Sequence, residues 1–207
     1  MRKTTYRYRL WARPADSTDE RAWIRLTPWW KSRLLGGQTG TVSAPAGHVA
    51  KVMLSRRFGD DEAVQLAEDF AGLTSLWELG LRGAPVTDAG LKHLVGLTSL
   101  RSLALGCDEG SGITDAGLAE LAKLRSLEEL LLYGAHITDA GLAHLATLTV
   151  LQKLDLSNTP ITDAGLPHLA RIASLRWVNL TGTAATDAGF ASLTQARPDL
   201  DVGMYSR

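Results

Sequence analysis

Cysteine is almost absent from this chain: Cys107 stands alone among 207 residues. An internal disulfide framework is therefore excluded, so the fold must rest on packing and suits a reducing compartment, for which a cytoplasmic location is the expectation. No run of 18 apolar residues occurs, and the basic residues Arg2, Lys3, Arg7, Arg9 and Arg13 lead into no apolar stretch. Neither a membrane span nor a signal peptide is read. A Gly-rich phosphate loop, a nucleophile elbow, a paired-cysteine zinc spacing and a Ser/His/Asp arrangement are all missing. The expectation is a protein that is not an enzyme, with no catalytic residue, cofactor, metal or small-molecule substrate.

Net charge is also lacking, but its zero hides an asymmetry. Residues 1–57 hold 12 Lys+Arg against 3 Asp+Glu, whereas residues 58–207 hold 10 against 19. The two parts carry +9 and −9, so the first part either lies against the second, is solvated, or faces an anionic partner. Aromatic residues make up only 6% of the chain, yet four of the six tryptophans precede residue 48. A basic, Trp-rich arm over 1–47 is thus distinct from the rest, 48–207. Within it Tyr6-Arg7-Tyr8-Arg9-Leu10 alternates as a short strand does. In Thr27-Pro28-Trp29-Trp30-Lys31-Ser32-Arg33-Leu34-Leu35-Gly36, Thr27 is a cap, Pro28 suits the first helical position and Gly36 suits the helix end, which predicts a short amphipathic helix. The Gly-rich stretch 36–47 reads as a linker.

What the remainder has in abundance is repetition. Thr-Asp-Ala-Gly occurs at 87–90, 114–117, 138–141, 162–165 and 186–189, with spacings of 27, 24, 24 and 24 residues. A fixed period in this range marks a stacked-repeat protein. Before each copy, apolar residues fall at positions 1, 4 and 6 of a short run: Leu76-x-x-Leu79-x-Leu81, Leu100-x-x-Leu103-x-Leu105, Leu127-x-x-Leu130-x-Leu132, Leu151-x-x-Leu154-x-Leu156 and Leu175-x-x-Val178-x-Leu180. Val49-x-x-Val52-x-Leu54 precedes them, and a partial copy at Val202-x-Met204 follows. Alternation at positions 4 and 6 makes a strand of about three residues with one face inward. In the other half, Thr138 or Asp139 is expected to cap a helix, Asp139 to place negative charge at its positive end, and Leu142 and Leu145 to face the strands. Gly141 should permit close approach of helix and strand. Residues 48–72, with Phe58-Gly59-Asp60-Asp61, read as a zeroth repeat of deviant sequence, as expected at an edge.

These two halves resemble a leucine-rich-repeat protein, and the motif I/V-T-D-A-G-L-x-x-L is similar to the subclass in F-box-associated and bacterial leucine-rich repeats. The resemblance covers about residues 48–205. It implies an α/β leucine-rich-repeat solenoid with about seven short parallel strands on the concave face and short helices on the convex face, and it implies recognition of a protein partner. One departure is visible: the asparagine of the family pattern is replaced by Ala84, Ala135, Thr159 and Thr183, of which only Thr can bond neighbouring backbone.

Function must lie where the repeats differ. Alternation places Glu129, Leu131, Tyr133, Lys153, Asp155, Trp177 and Asn179 on the concave face. Their mixture of aromatic and charged groups is that of protein interfaces, so they form the candidate partner-binding patch. The longest repeat inserts Cys107, Asp108 and Glu109 with the glycines beyond them, a loop that either contacts a partner or is a neutral length change; acidic neighbours raise a thiol pKa, which argues against a reactive cysteine. His93, His144 and His168 recur at one helical place without a third ligand and read as a solvated convex column. The arm over 1–47 reads first as a lid on the open end of the stack, with a membrane or nucleic-acid surface as the alternative partner. The final strand offers a free edge for association with another chain.

Overall fold

The computed structural model describes residues 9–14, 24–25, 48–53, 59–69, 76–106 and 112–203. Among the described residues nine strands form one sheet: β1 (Arg9–Pro14), β2 (Ile24–Arg25), β3 (His48–Met53), β4 (Leu76–Gly80), β5 (Ser102–Ala104), β6 (Glu129–Leu131), β7 (Lys153–Asp155), β8 (Trp177–Asn179) and β9 (Asp201–Gly203). Their order is β2-β1-β3-β4-β5-β6-β7-β8-β9. From β3 onward every pair is parallel, giving the seven parallel strands of the expected solenoid. The arm supplies the other two: β1 pairs antiparallel with β3 over six residues, from Arg9↔Met53 to Pro14↔His48, and β2 pairs with β1. The expected strand at Tyr6–Leu10 thus overlaps β1 only at its end, and its first residues lie outside the described ones, as do the predicted helix at Thr27–Gly36 and its linker.

The inward positions stack in register, Leu79↔Leu103↔Leu130↔Leu154↔Val178, and all five are fully buried. Between consecutive strands the chain crosses over through a helix: Asp60–Asp69, Asp88–Leu94, Asp115–Leu121, Leu166–Ala170 and Asp187–Ala196, with a 3₁₀ helix at Gly141–Thr147. The leucine pairs Leu91 and Leu94, Leu118 and Leu121, Leu142 and Leu145, and Leu166 and Leu169 close the core from the helical side. A repeat this short forces a tight turn after each strand. Gly83, Gly134, Asn158 and Gly182 occupy that turn with φ of 69, 69, 56 and 73°, the left-handed region where glycine and asparagine are tolerated.

The motif Thr-Asp-Ala-Gly has a function that its sequence conceals. Thr87, Thr114 and Thr186 do cap their helices, as expected. At the 138 copy the N-cap residue is Ala140, with no side-chain cap bond, so the expected capping by Thr138 or Asp139 is absent there. The aspartate reaches instead to the next repeat. Asp60 binds Thr87, Asp88 binds Thr114, Asp115 binds Thr138, Asp139 binds Thr162 and Asp163 binds Thr186. In every case the threonine N–H donates to Oδ1 at 2.7–2.8 Å and its hydroxyl donates to Oδ2 at 2.5–2.7 Å. Charge-assisted bonds of this length are the strong kind.

Gly141 is explained by the same contact rather than by closeness of helix and strand: a Cβ there would overlap Asp115 Oδ1, and Gly90, Gly117, Gly165 and Gly189 stand in the same relation to Asp60, Asp88, Asp139 and Asp163. Aspartate, threonine and glycine therefore form one staple that joins consecutive repeats. Where the family pattern has asparagine, Thr159 and Thr183 bond only within their own repeats, to Leu156 and Leu180 carbonyls at 2.6 and 2.8 Å.

The last described loop carries an arginine clamp. Arg197 donates to the Ala170, Ile172 and Leu175 carbonyls at 3.3, 2.9 and 2.8 Å and to both carboxylate oxygens of Asp199. The guanidinium thereby ties the loop after one helix to the corresponding loop of the next repeat. It also holds the Asp199 carboxyl down at about 2, chiefly through its hydrogen bonds. The Asp163 carboxyl is likewise lowered, first by the Thr186 hydroxyl and then by its N–H. A carboxyl depressed in the folded state stabilises it above the ordinary carboxylate range and loses that contribution as pH falls through the folded value. Acid unfolding is therefore expected to gain a component between roughly pH 4 and 2. In a circular-dichroism titration, Asp199→Asn should flatten the lower part of that window; an unchanged curve would remove Asp199 from the account.

Candidate functional site

Strand register assembles the predicted patch. Glu129, Lys153 and Trp177 are Cα partners across β6, β7 and β8, and Leu131, Asp155 and Asn179 form the adjacent row. Because Leu130, Leu154 and Val178 are fully buried, the residues flanking them project from the opposite face, away from the helices. Tyr133 follows at the end of the first strand run and is 47% exposed. Six of the seven predicted residues thus share three adjacent strands on one face, and Tyr133 lies in the turn that follows β6.

Their chemistry is uneven. Glu129 Oε2 accepts the Ser102 hydroxyl at 2.8 Å. Asp155 Oδ1 accepts the Ser157 N–H and hydroxyl at 2.8 and 2.5 Å, and Asn179 Oδ1 accepts the Thr181 N–H at 3.0 Å. Asp155 and Asn179 therefore brace the turns that lead to Asn158 and Gly182, as short polar side chains do, and only part of each polar group is left for a partner. Tyr133, Lys153 and Trp177 differ: among the described residues their side chains enter no hydrogen bond or ion pair. Tyr133 and Lys153 are exposed and Trp177 is half-buried. Toward β3 the strands of the same face become closed and small, with Arg82 exposed in the turn after β4. Lys51 pairs with Glu78 at 2.5 Å, Met53 lies over Gly80, and Ser102 and Ala104 are buried.

A second feature escaped the alternation argument. An open groove of about 920 Å³ crosses the loops that follow β6, β7 and β8, lined among others by His136, Asn158, Pro160, Thr181, Asp187 and Phe190. It begins at Gly134, next to Tyr133, so it adjoins the patch at the C-terminal ends of the strands. Ligands of parallel sheets are commonly received at that end. The signal in the sequence was the small residues of the last loop, Gly182-Thr183-Ala184-Ala185, which is visible only once the loops are stacked.

The other candidates are separate from this surface. Cys107, Asp108 and Glu109 lie outside the described residues. His93 and His144 are exposed and His168 is half-buried, each near the C-terminal end of its helix. Among the described residues no group of three His, Cys, Asp or Glu is placed to hold a metal ion, and no helix is long and apolar enough to cross a membrane.

One repeat, residues 147–170, matches a family model described as Leucine Rich repeat. No curated protein matches the chain. Among solved structures it is similar to an internalin (inlF) from Listeria monocytogenes, at 23% identity and a TM-score of 0.54, over 70% of this chain and 38% of that one. It is also similar to an internalin C2 (inlC2) from the same organism, at 22% identity and a TM-score of 0.52, over 75% of this chain and 80% of that one. The chain thus spans well under half the length of the first of these, and at such identities the likeness concerns the fold.

Proposed function

We propose that this chain, a leucine-rich-repeat solenoid in fold, is a non-enzymatic cytoplasmic module that binds a protein partner on the open face of its sheet, around Tyr133, Lys153 and Trp177. The observation that carries the reading is the contrast along that face: β6, β7, β8 and the turn after β6 present two aromatics and a lysine with no partner among the described residues, whereas β3, β4 and β5 carry there an ion pair, Gly80 and buried small residues, with Arg82 exposed in the turn after β4. Aromatic anchors beside unpaired polar groups are what the energetic centre of a protein interface needs. Glu129, Leu131, Asp155 and Asn179 supply the surround, with part of their polarity spent on the fold.

The test begins with a partner captured and identified on immobilised full-length chain. Tyr133→Ala with Trp177→Ala is expected to weaken its binding about 30-fold or more, as loss of two aromatic anchors does. Tyr133→Ala alone should leave the unfolding midpoint nearly unchanged. Full affinity in the double variant would place the interface elsewhere.

The charge asymmetry supports a second reading, in which the basic arm over 1–47 engages an anionic surface. Deleting the arm is a poor probe, because β1 covers β3 along six residues. Replacing Lys31 and Arg33 with glutamine is cleaner. Salt-sensitive binding to anionic liposomes or oligonucleotides that falls in this variant favours the arm; its absence in the unaltered chain favours the sheet face.

A further inference from the structure

Hydrogen-bonding groups on the open face of the sheet are unequally satisfied. The acceptor side chains from β4 to β8 each take a bond from within the molecule: Glu78 from Lys51, Glu129 from Ser102, Asp155 from Ser157 and Asn179 from Thr181. Arg82, Tyr133, Lys153 and Trp177 have no partner among the described residues. A guanidinium, an ammonium and an indole N–H only donate, and a phenol hydroxyl donates readily. Glu129, the Cα partner of Lys153, accepts instead from Ser102 on its other side, so that carboxylate leaves the lysine unpaired. The face thus carries an excess of donors, bounded at β9 by Asp201, an exposed carboxylate in register with Trp177.

These donors fall into two pairs. Lys153 and Trp177 are Cα partners on adjacent strands. Arg82 and Tyr133 stand in the turns after β4 and β6, with the residues after β5 between them. There Arg82 lies against Gly106: its Cα, Cβ and Cγ are 3.3 Å from the place a Cβ on that glycine would take. With strands about 4.8 Å apart and a rise of about 3.3 Å per residue, the two pairs are separated by roughly 18 Å, which an extended chain covers in about five or six residues. We propose, resting on the sheet-face reading above, that the partner element received there is an extended acidic segment of a protein, with two carboxylates that far apart. One carboxylate accepts from Lys153 and Trp177 and the other from Arg82 and Tyr133, while the chain between them crosses half-buried Leu131. Charge-assisted bonds to ammonium and guanidinium groups are the strong kind and recognise carboxylates. The −9 carried by residues 58–207 repels a polyphosphate but tolerates two carboxylates met by two cations, which favours an acidic protein segment over a nucleic acid.

The probe is a fluorescein-labelled peptide of glycine, alanine and serine bearing two glutamates about six positions apart, titrated with full-length protein by fluorescence anisotropy. Versions with glutamine or lysine in place of both glutamates are titrated beside it. The glutamate peptide is expected to bind saturably and about tenfold or more tightly than the other two. Lys153→Gln and Arg82→Gln should each weaken it about five- to tenfold. Arg171→Gln removes the same charge from an exposed site after the helix Leu166–Ala170 and should change it by less than about twofold. All three arginine and lysine sites are exposed, so thermal melting of these variants should match the parent. Absence of saturable binding, equal binding of the glutamine or lysine peptide, or an Arg171→Gln loss as large as that of Lys153→Gln overturns the proposal. So does an oligonucleotide that binds more tightly than the peptide with the same dependence on Lys153. Failure here is distinguishable from failure of the sheet-face reading. A captured partner that needs Tyr133 and Trp177 but is indifferent to Lys153→Gln and Arg82→Gln keeps the face and removes the acidic segment, whereas indifference to the two aromatic substitutions removes the face itself.

Discussion

Leu130→Ala is expected to lower stability by about 2–5 kcal/mol, the range for emptying a fully buried leucine site. Leu130 is completely buried and lies in register between Leu103 of β5 and Leu154 of β7. The cavity therefore opens in the middle of the inner row, bordered by two other repeats. In a solenoid, stability is approximately a sum of repeat terms and nearest-neighbour terms, so one truncation weakens its own repeat and both of its interfaces. Collapse around the gap is limited because each neighbour is fixed by its own strand pairing. Urea unfolding followed by circular dichroism should show the midpoint fall, with greater hydrogen exchange in β5 and β7 as well as β6. A midpoint close to that of the parent would contradict the inner-row register.

Gly141→Ala is expected to destabilise the chain by about 2–4 kcal/mol, the combined scale of overpacking and of a lost carboxylate contact. Helix propensity alone gives the opposite sign, since alanine exceeds glycine by about 1 kcal/mol inside a helix. Packing decides the outcome. The new Cβ would overlap Asp115 Oδ1, with Asp115 Cγ at 2.7 Å and its Cβ at 3.2 Å. Either the carboxylate swings away and gives up the Thr138 N–H and hydroxyl, or the 3₁₀ helix moves off the stack. A double-mutant cycle isolates the cause. Once Asp115→Ala has removed the carboxylate, adding Gly141→Ala should cost little, giving a coupling of about 2–3 kcal/mol, most of the single-variant cost. A neutral or stabilising Gly141→Ala would show that the staple carries no weight.

The reach of the sequence is clearest in the contrast between these two sites. Leu130 could be read directly, because burial of apolar residues follows a local period: one leucine every second residue in the strand and one every three or four in the helix, renewed every 24 residues. That pattern was sufficient for the number of parallel strands, the inward face and the alternate positions that display Tyr133, Lys153 and Trp177. Gly141 could be read only in part. Local rules assign its neighbours to helix capping and leave the glycine to helix and strand contact, yet the carboxylate that requires the missing Cβ belongs to Asp115, in the preceding repeat.

Local periodicity in the sequence therefore determined the solenoid, its seven parallel strands and which side chains its open face displays. Tertiary structure alone decided what joins one repeat to the next and how β1 and β2 extend one end of the sheet. The physical reason is one of range. Apolar burial depends on which face a residue occupies, and a few neighbours in sequence fix that. A hydrogen bond depends on the meeting of two particular groups, here 23 to 27 residues apart, and only the stacking of repeats brings them together.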